Sequence, residues 1–108
     1  MSIVSQEIVV LIDSATRLRL KRETEGGVWR GFVINLEHMI GDEWHEIYRA
    51  DTRHGYLHEQ RFWESPDPIP LDRCKGLDLQ TAFEVIFNAV KANHGRWIML
   101  YKERGGKQ

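Results

Sequence analysis

At 108 residues, with 42% apolar and 29% charged side chains, the chain has the make-up of one folded domain, because two would leave neither half a sufficient core. A net charge of −1 excludes attraction of the whole molecule to nucleic acid or membrane and leaves only local patches to act in that way. The single cysteine, Cys74, excludes an internal disulfide, no apolar run approaches the ~18 residues of a membrane span, and the N-terminus lacks a signal peptide's basic start, so a reducing cytoplasm is the expected setting.

Ile8-Val9-Val10-Leu11-Ile12 is a β-branched run that reads as the first strand, closed by the turn pair Asp13-Ser14. From Thr16 to Arg22 the pattern alternates, with Leu18 and Leu20 on one side and Arg17, Arg19 and Lys21 on the other. That predicts a half-buried strand with a basic outer row. Glu25-Gly26-Gly27 turns the chain, and Val28 to Ile40 alternates again, with Val28, Phe32, Ile34, Leu36 and Ile40 in phase. Gly41-Asp42 supplies the next turn and Glu43 to Asp51 a fourth strand; a turn near Arg53-His54 leads into a fifth, Gly55 to Trp63. Ser65-Pro66-Asp67-Pro68-Ile69-Pro70 is barred from a central strand, since each proline lacks a donor.

Leu79, Ala82, Phe83, Ile86, Phe87 and Val90 form one continuous apolar stripe at helical spacing, which predicts a helix from Asp78 to Asn93. Asp78 suits the N-cap, Lys91 and His94 suit the negative end of the dipole, and Gly95 suits a left-handed C-cap. Truncation of Phe83 or Phe87 to alanine is expected to cost about 3–5 kcal/mol, as for buried aromatics. Trp97-Ile98-Met99-Leu100-Tyr101 is expected to return as a last strand, and residues 103–108 to fray. The fold class is therefore α+β: a single domain over residues 1–108, with a twisted antiparallel sheet of about five or six strands and one long amphipathic helix packed on one face.

The richest segment chemically is Tyr48 to His58, which gathers two histidines, an aspartate and two arginines around a turn. A hairpin with Thr52 opposite Gly55 sets Trp44 against Trp63, Glu46 against Arg61, Tyr48 against Glu59 and Ala50 against Leu57. On the other face Arg49 meets His58 and Asp51 meets Tyr56, with His45 nearby. A two-residue loop at Gly41-Asp42 would put Phe32, Ile34 and Leu36 on the face of this polar cluster; a bulge there would put them with Trp44 and Tyr48.

Such a cluster fits metal-free RNA cleavage, in which a base deprotonates the 2′-hydroxyl, an acid protonates the leaving oxygen and cations stabilise the phosphate. His58 would be base or acid, oriented by Asp51, with His54 as the alternative proton carrier and Arg49 or Arg53 holding the phosphate. The row Arg17, Arg19 and Lys21 would track an RNA backbone. Asp51, His54 and His58 also offer mixed oxygen and nitrogen ligands to a metal, although their spacing matches no established zinc motif. The plainer reading of the same residues is cross-strand ion pairs and a solvated strand face. Cys74, between Arg73 and Lys75, is placed for a lowered thiol pKa.

Asp51-Thr52-Arg53-His54-Gly55-Tyr56-Leu57-His58, set after strands and before a proline-containing loop and an amphipathic helix, resembles the TumE-like group of small toxins of toxin–antitoxin modules. In that group an Asp precedes a glycine-containing turn and two histidines separated by one residue; here His58 matches the first and Gln60 occupies the second position. The resemblance implies an RNA-directed toxin neutralised by an antitoxin protein; separately, the metal-free reading of the cluster expects no cofactor. The alternative is a non-enzymatic protein-interaction domain, in which the hairpin is only structural. The partners in view are an antitoxin, RNA or a second copy of the chain, and no membrane.

Overall fold

The computed structural model describes residues 2–104, with His54 described by its backbone alone; the expected tail lies outside the described residues from position 105 onward. Six antiparallel strands follow one another in chain order: β1 (Ile3–Asp13), β2 (Thr16–Glu25), β3 (Val28–Ile40), β4 (Glu43–Asp51), β5 (His58–Arg61) and β6 (Ser65–Pro70). A single helix, α1 (Leu79–Glu103), lies across one face and rests chiefly on β3 and β4. Tight turns drive the meander. Gly26 and Gly27 both hold positive φ, 59° and 81°, as a two-residue hairpin loop whose twist matches the strands requires.

Strand alternation builds the core. Leu18, Leu20, Phe32, Ile34, Leu36, Tyr48 and Ala50 are buried, and Ala82, Ile86, Val90, Ile98 and Tyr101 of α1 complete the same cluster. The register Leu18↔Leu36 and Leu20↔Ile34, then Leu36↔Tyr48 and Ile34↔Ala50, stacks these side chains row on row. Beneath the C-terminal half of α1, Trp97 stacks on Tyr48 and Trp63 with ring centroids 4.7 and 5.2 Å apart.

Several expectations need correction. Trp97 to Tyr101 is helical, not a strand, and Gly95 sits inside α1 rather than capping it. From Val90 the buried positions continue at Ile98 and Tyr101, so the apolar stripe persists through the run, and packing outweighs the ~1 kcal/mol that glycine costs a helix. Phe83 and Phe87 are only half-buried, stacked on each other at the margin of the core. Asp78 caps as expected, its Oδ1 accepting the Thr81 N–H at 2.8 Å. The fifth strand is short, since residues 53–55 form a 3-10 turn and residues 62–64 another turn. The proline-rich segment takes no central place, as expected, and forms the strand at the sheet edge, where proline is tolerated.

Gly41-Asp42 is a two-residue loop, with Ile40 opposite Glu43, yet the register breaks between Leu36 and Glu37. The extra residue lies in β4, between Glu46 and Tyr48. This bulge reverses the faces within β4. Tyr48 and Ala50 join Phe32, Ile34 and Leu36 under α1, while Trp44 and Glu46 share the other face with Arg49 and Asp51. His45 goes to the helix side, its Nδ1 3.1 Å from the Tyr101 hydroxyl, and leaves the polar cluster. Trp44 is not core but lies under the Arg17 guanidinium, 3.9 Å from its ring centre.

Candidate functional site

The hairpin between β4 and β5 pairs two residues out of the expected register: Tyr48↔Arg61, Arg49↔Gln60, Ala50↔Glu59 and Asp51↔His58. The cause is the connection. Instead of a two-residue loop, Thr52 to Leu57 carries a 3-10 turn at Arg53–Gly55, with Gly55 at φ 80°. A slip of two preserves every face, so Arg49, Asp51 and His58 still meet, and Trp44 no longer faces Trp63. Tyr56 leaves the ladder, and its ring tilts against that of His58 with centroids 5.0 Å apart.

Asp51 is the hub. Its Oδ2 accepts from Arg49 Nε at 2.6 Å, and its Oδ1 receives the Arg53 backbone N–H at 3.0 Å and lies 3.0 Å from His58 Nε2. Burial works against ionisation of this carboxyl, but the Arg49 hydrogen bond, the Arg53 N–H and the neighbouring charges of His58 and Arg49 outweigh it. Asp51 is held below the ordinary value of 3.8. The other ring nitrogen of His58, Nδ1, lies 3.2 Å from the Tyr56 carbonyl. Both ring nitrogens thus face acceptors, and the His58 residue is 4% exposed. Arg49 reaches onward to Glu46 at 3.5 Å, which also accepts from Asn35 Nδ2 at 3.2 Å.

A cleft of about 470 Å³ opens beside this network, lined by Glu46, Arg49, Asp51, Arg53, His58, Gln60, Phe62 and Pro68. Arg53 is exposed at it. The His54 side chain lies outside the described residues, and its expected roles as proton carrier or ligand fall there with it. Among the described residues, no group of three His, Cys, Asp or Glu side chains is placed to hold a metal ion.

The basic row does share the sheet face of the cluster, two strands away. Its charges are answered locally: Arg17 pairs with Glu37 at 2.6 Å and Arg19 with Glu7 at 3.4 Å, and Lys21 stands opposite Glu7 in the β1–β2 register. Acidic partners from both flanking strands break up the positive track that the β2 alternation suggests.

Strand spacing alone passes over two acidic residues. Glu46 links Asn35 to Arg49, and Glu59 lies on the helix side of β5, 3% exposed. Glu59 accepts from the Tyr48 hydroxyl at 2.7 Å and from Arg61, and Arg73 lies 3.7 Å away. Burial, reinforced by the Glu59 charge, pushes the Tyr48 hydroxyl well above its usual pKa and keeps it a donor. The signal for Glu59 was present in the hairpin, where Tyr48 and Arg61 both fall within two positions of it. Cys74 is buried near the same group, and burial raises its thiol pKa despite Arg73, contrary to the expectation from its basic neighbours.

The fold and site together define an α+β domain whose antiparallel meander carries a helix on one face and a locked polar network on the other. The chain belongs to the DUF7718 family, described as a domain of unknown function, whose model matches residues 4–106. No curated protein matches the chain, and no solved structure does. The resemblance to the TumE-like toxins thus rests on residues 51–58 and the surrounding layout alone. No helix among the described residues is long and apolar enough to cross a membrane.

Proposed function

We propose that this chain is a non-enzymatic protein-interaction domain. The observation that carries the reading is β1, an edge strand of eleven residues in which every residue but Ile12 is exposed. Ile3, Val4, Ile8, Val9, Val10 and Leu11 are half of the exposed large hydrophobic residues among those described. An edge of that length and character is a template for strand addition. RNA cleavage would need an accessible proton carrier, whereas His58 is enclosed between two acceptors and Arg49 is committed to Asp51.

The RNA-directed toxin reading keeps one supporting feature, the cleft with Arg49, Arg53 and Gln60 at its walls, and an antitoxin partner belongs to it. Purified wild type, His58→Ala and Arg49→Lys incubated with mixed RNA, with and without chelator, separate the two. The interaction reading expects intact RNA in every lane. Cleavage by the wild type that is lost in His58→Ala overturns it, and cleavage restored by a divalent ion after chelation turns attention to Asp51, His54 and His58 as ligands.

A further inference from the structure

We infer that the partner of β1 is a second copy of this chain, joined edge to edge through antiparallel β1 strands about a two-fold axis at Ile8. This rests on the interaction reading and names its partner. The two edges of the sheet are unequal. At the far edge, Pro66, Pro68 and Pro70 have no N–H. Because the Leu71 N–H bonds inward to the Leu57 carbonyl at 3.1 Å, alternation turns the nitrogens of Pro68 and Pro70 outward, where an added strand would need donors. β1 is lightly protected by comparison: it has no proline, lysine or arginine, and from Ile3 to Leu11 it keeps a regular register to β2 with Glu7 as the one charge, the register breaking only beyond Leu11. One pairing edge and one blocked edge allow a closed pair and forbid a filament built from β1 on β6.

The sequence of β1 is compatible with itself. With Ile8 on the axis, Ser5 to Leu11 pair within the stretch where β1 is regular, Gln6 facing Val10 on the helix side and Ser5 facing Leu11 and Glu7 facing Val9 on the other, while the register break after Leu11 ends the pairing there. No like charges stand opposite one another, and Glu7 already has Arg19 as its counter-ion. An antiparallel pair of this length forms about 6–8 backbone hydrogen bonds, within the range of about 10 ± 5 that a typical specific interface carries. A groove of about 350 Å³ adjoins the edge on the helix side, walled by Ile8, Leu20, Trp29 and Phe83. The partner's Ile8 and Val10 extend its apolar floor.

Sedimentation of the full chain from micromolar to near-millimolar concentration, with far-UV circular dichroism as the fold control, tests the pairing. The wild type is expected to approach dimer mass. Ile8→Lys, which sets two ammonium groups opposite each other across the axis, should raise the dissociation constant roughly tenfold or more with unchanged dichroism. Ile69→Lys, at an exposed residue of β6 on the opposite edge of the sheet, should leave it unaltered. A register check uses single cysteines in a Cys74→Ala background. Ile8→Cys should oxidise to a linked dimer, whereas Val4→Cys should not, since its two sulfurs would lie about 27 Å apart along the strands.

A wild type that stays monomeric, a dimer indifferent to Ile8→Lys, or Val4→Cys linking faster than Ile8→Cys each overturns the proposal. The RNA assay separates the two levels. A monomer that leaves RNA intact removes only the self-pairing, while a β1 dimer that cleaves RNA removes the interaction reading and leaves the pairing standing.

Discussion

At Asp51 three donors converge on one carboxylate that is 2% exposed, so the residue matters more through what it neutralises than through its own contacts. Asp51→Asn removes the buried carboxylate that pairs with Arg49 and lies against His58, and should destabilise the fold by about 3–5 kcal/mol, read from urea unfolding at neutral pH. The pH dependence has a definite sign. The folded-state pKa of Asp51 is lowered, so its contribution is complete above the unfolded value of about 4 and is lost as pH falls through the folded value. The stability gap between wild type and Asp51→Asn should therefore narrow as pH falls below about 4. A gap that widens below about pH 4 would refute the assignment. Gly31 makes a steric case. A Cβ there would meet Thr52 Oγ1 at 2.7 Å, and this hydroxyl accepts the Phe32 N–H. Gly31→Ala should cost about 1–3 kcal/mol, and less in a Thr52→Ala background, as a double-mutant cycle would show.

In α1, burial rather than residue size ranks the expected losses. Ile86 is fully buried, whereas Phe87 is half-buried and shares a ring face with Lys91. Ile86→Ala should cost about 2–5 kcal/mol and exceed Phe87→Ala, reversing the order that side-chain size alone suggests. Gly95 lies in the same helix; a Cβ added there would meet no atom within 4 Å, and its φ is not positive. Gly95→Ala should therefore stabilise the protein by about 0.5–1 kcal/mol, visible as a higher Tm; a lower Tm would mean that the helix is broken there. The helix stripe was legible because its period is local. Its length was not, because Gly95 is a local stop signal that only the packing of Ile98 and Tyr101 against the sheet overrides.

Across the molecule, strands and helix share one core, and the aromatic stack of Tyr48, Trp63 and Trp97 joins β4, the β5–β6 turn and α1. Unfolding should be a single transition, with tryptophan fluorescence and far-UV dichroism giving one midpoint. Separate midpoints would mean that α1 detaches from the sheet first. The polar network lies on the opposite face, so its loss lowers stability without dividing the transition.

The α+β class, the meander, the turns at Gly26-Gly27 and Gly41-Asp42, and the shared face of Arg49, Asp51 and His58 were all legible in the chain before folding. Each follows from periodicity and turn chemistry, which act over a few residues. Tertiary closure set what a one-residue or two-residue offset controls. The bulge in β4 moved His45 under α1 and Trp44 out to Arg17, and the 3-10 turn moved His58 opposite Asp51. The hairpin offset leaves no mark in alternation and the bulge leaves only the adjacent apolar pair Ile47-Tyr48, because each is set by how the flanking strands close on their neighbours. Enclosure of His58 between Asp51 and the Tyr56 carbonyl depends on that closure too, and it turns a set of reactive residue types into a locked network.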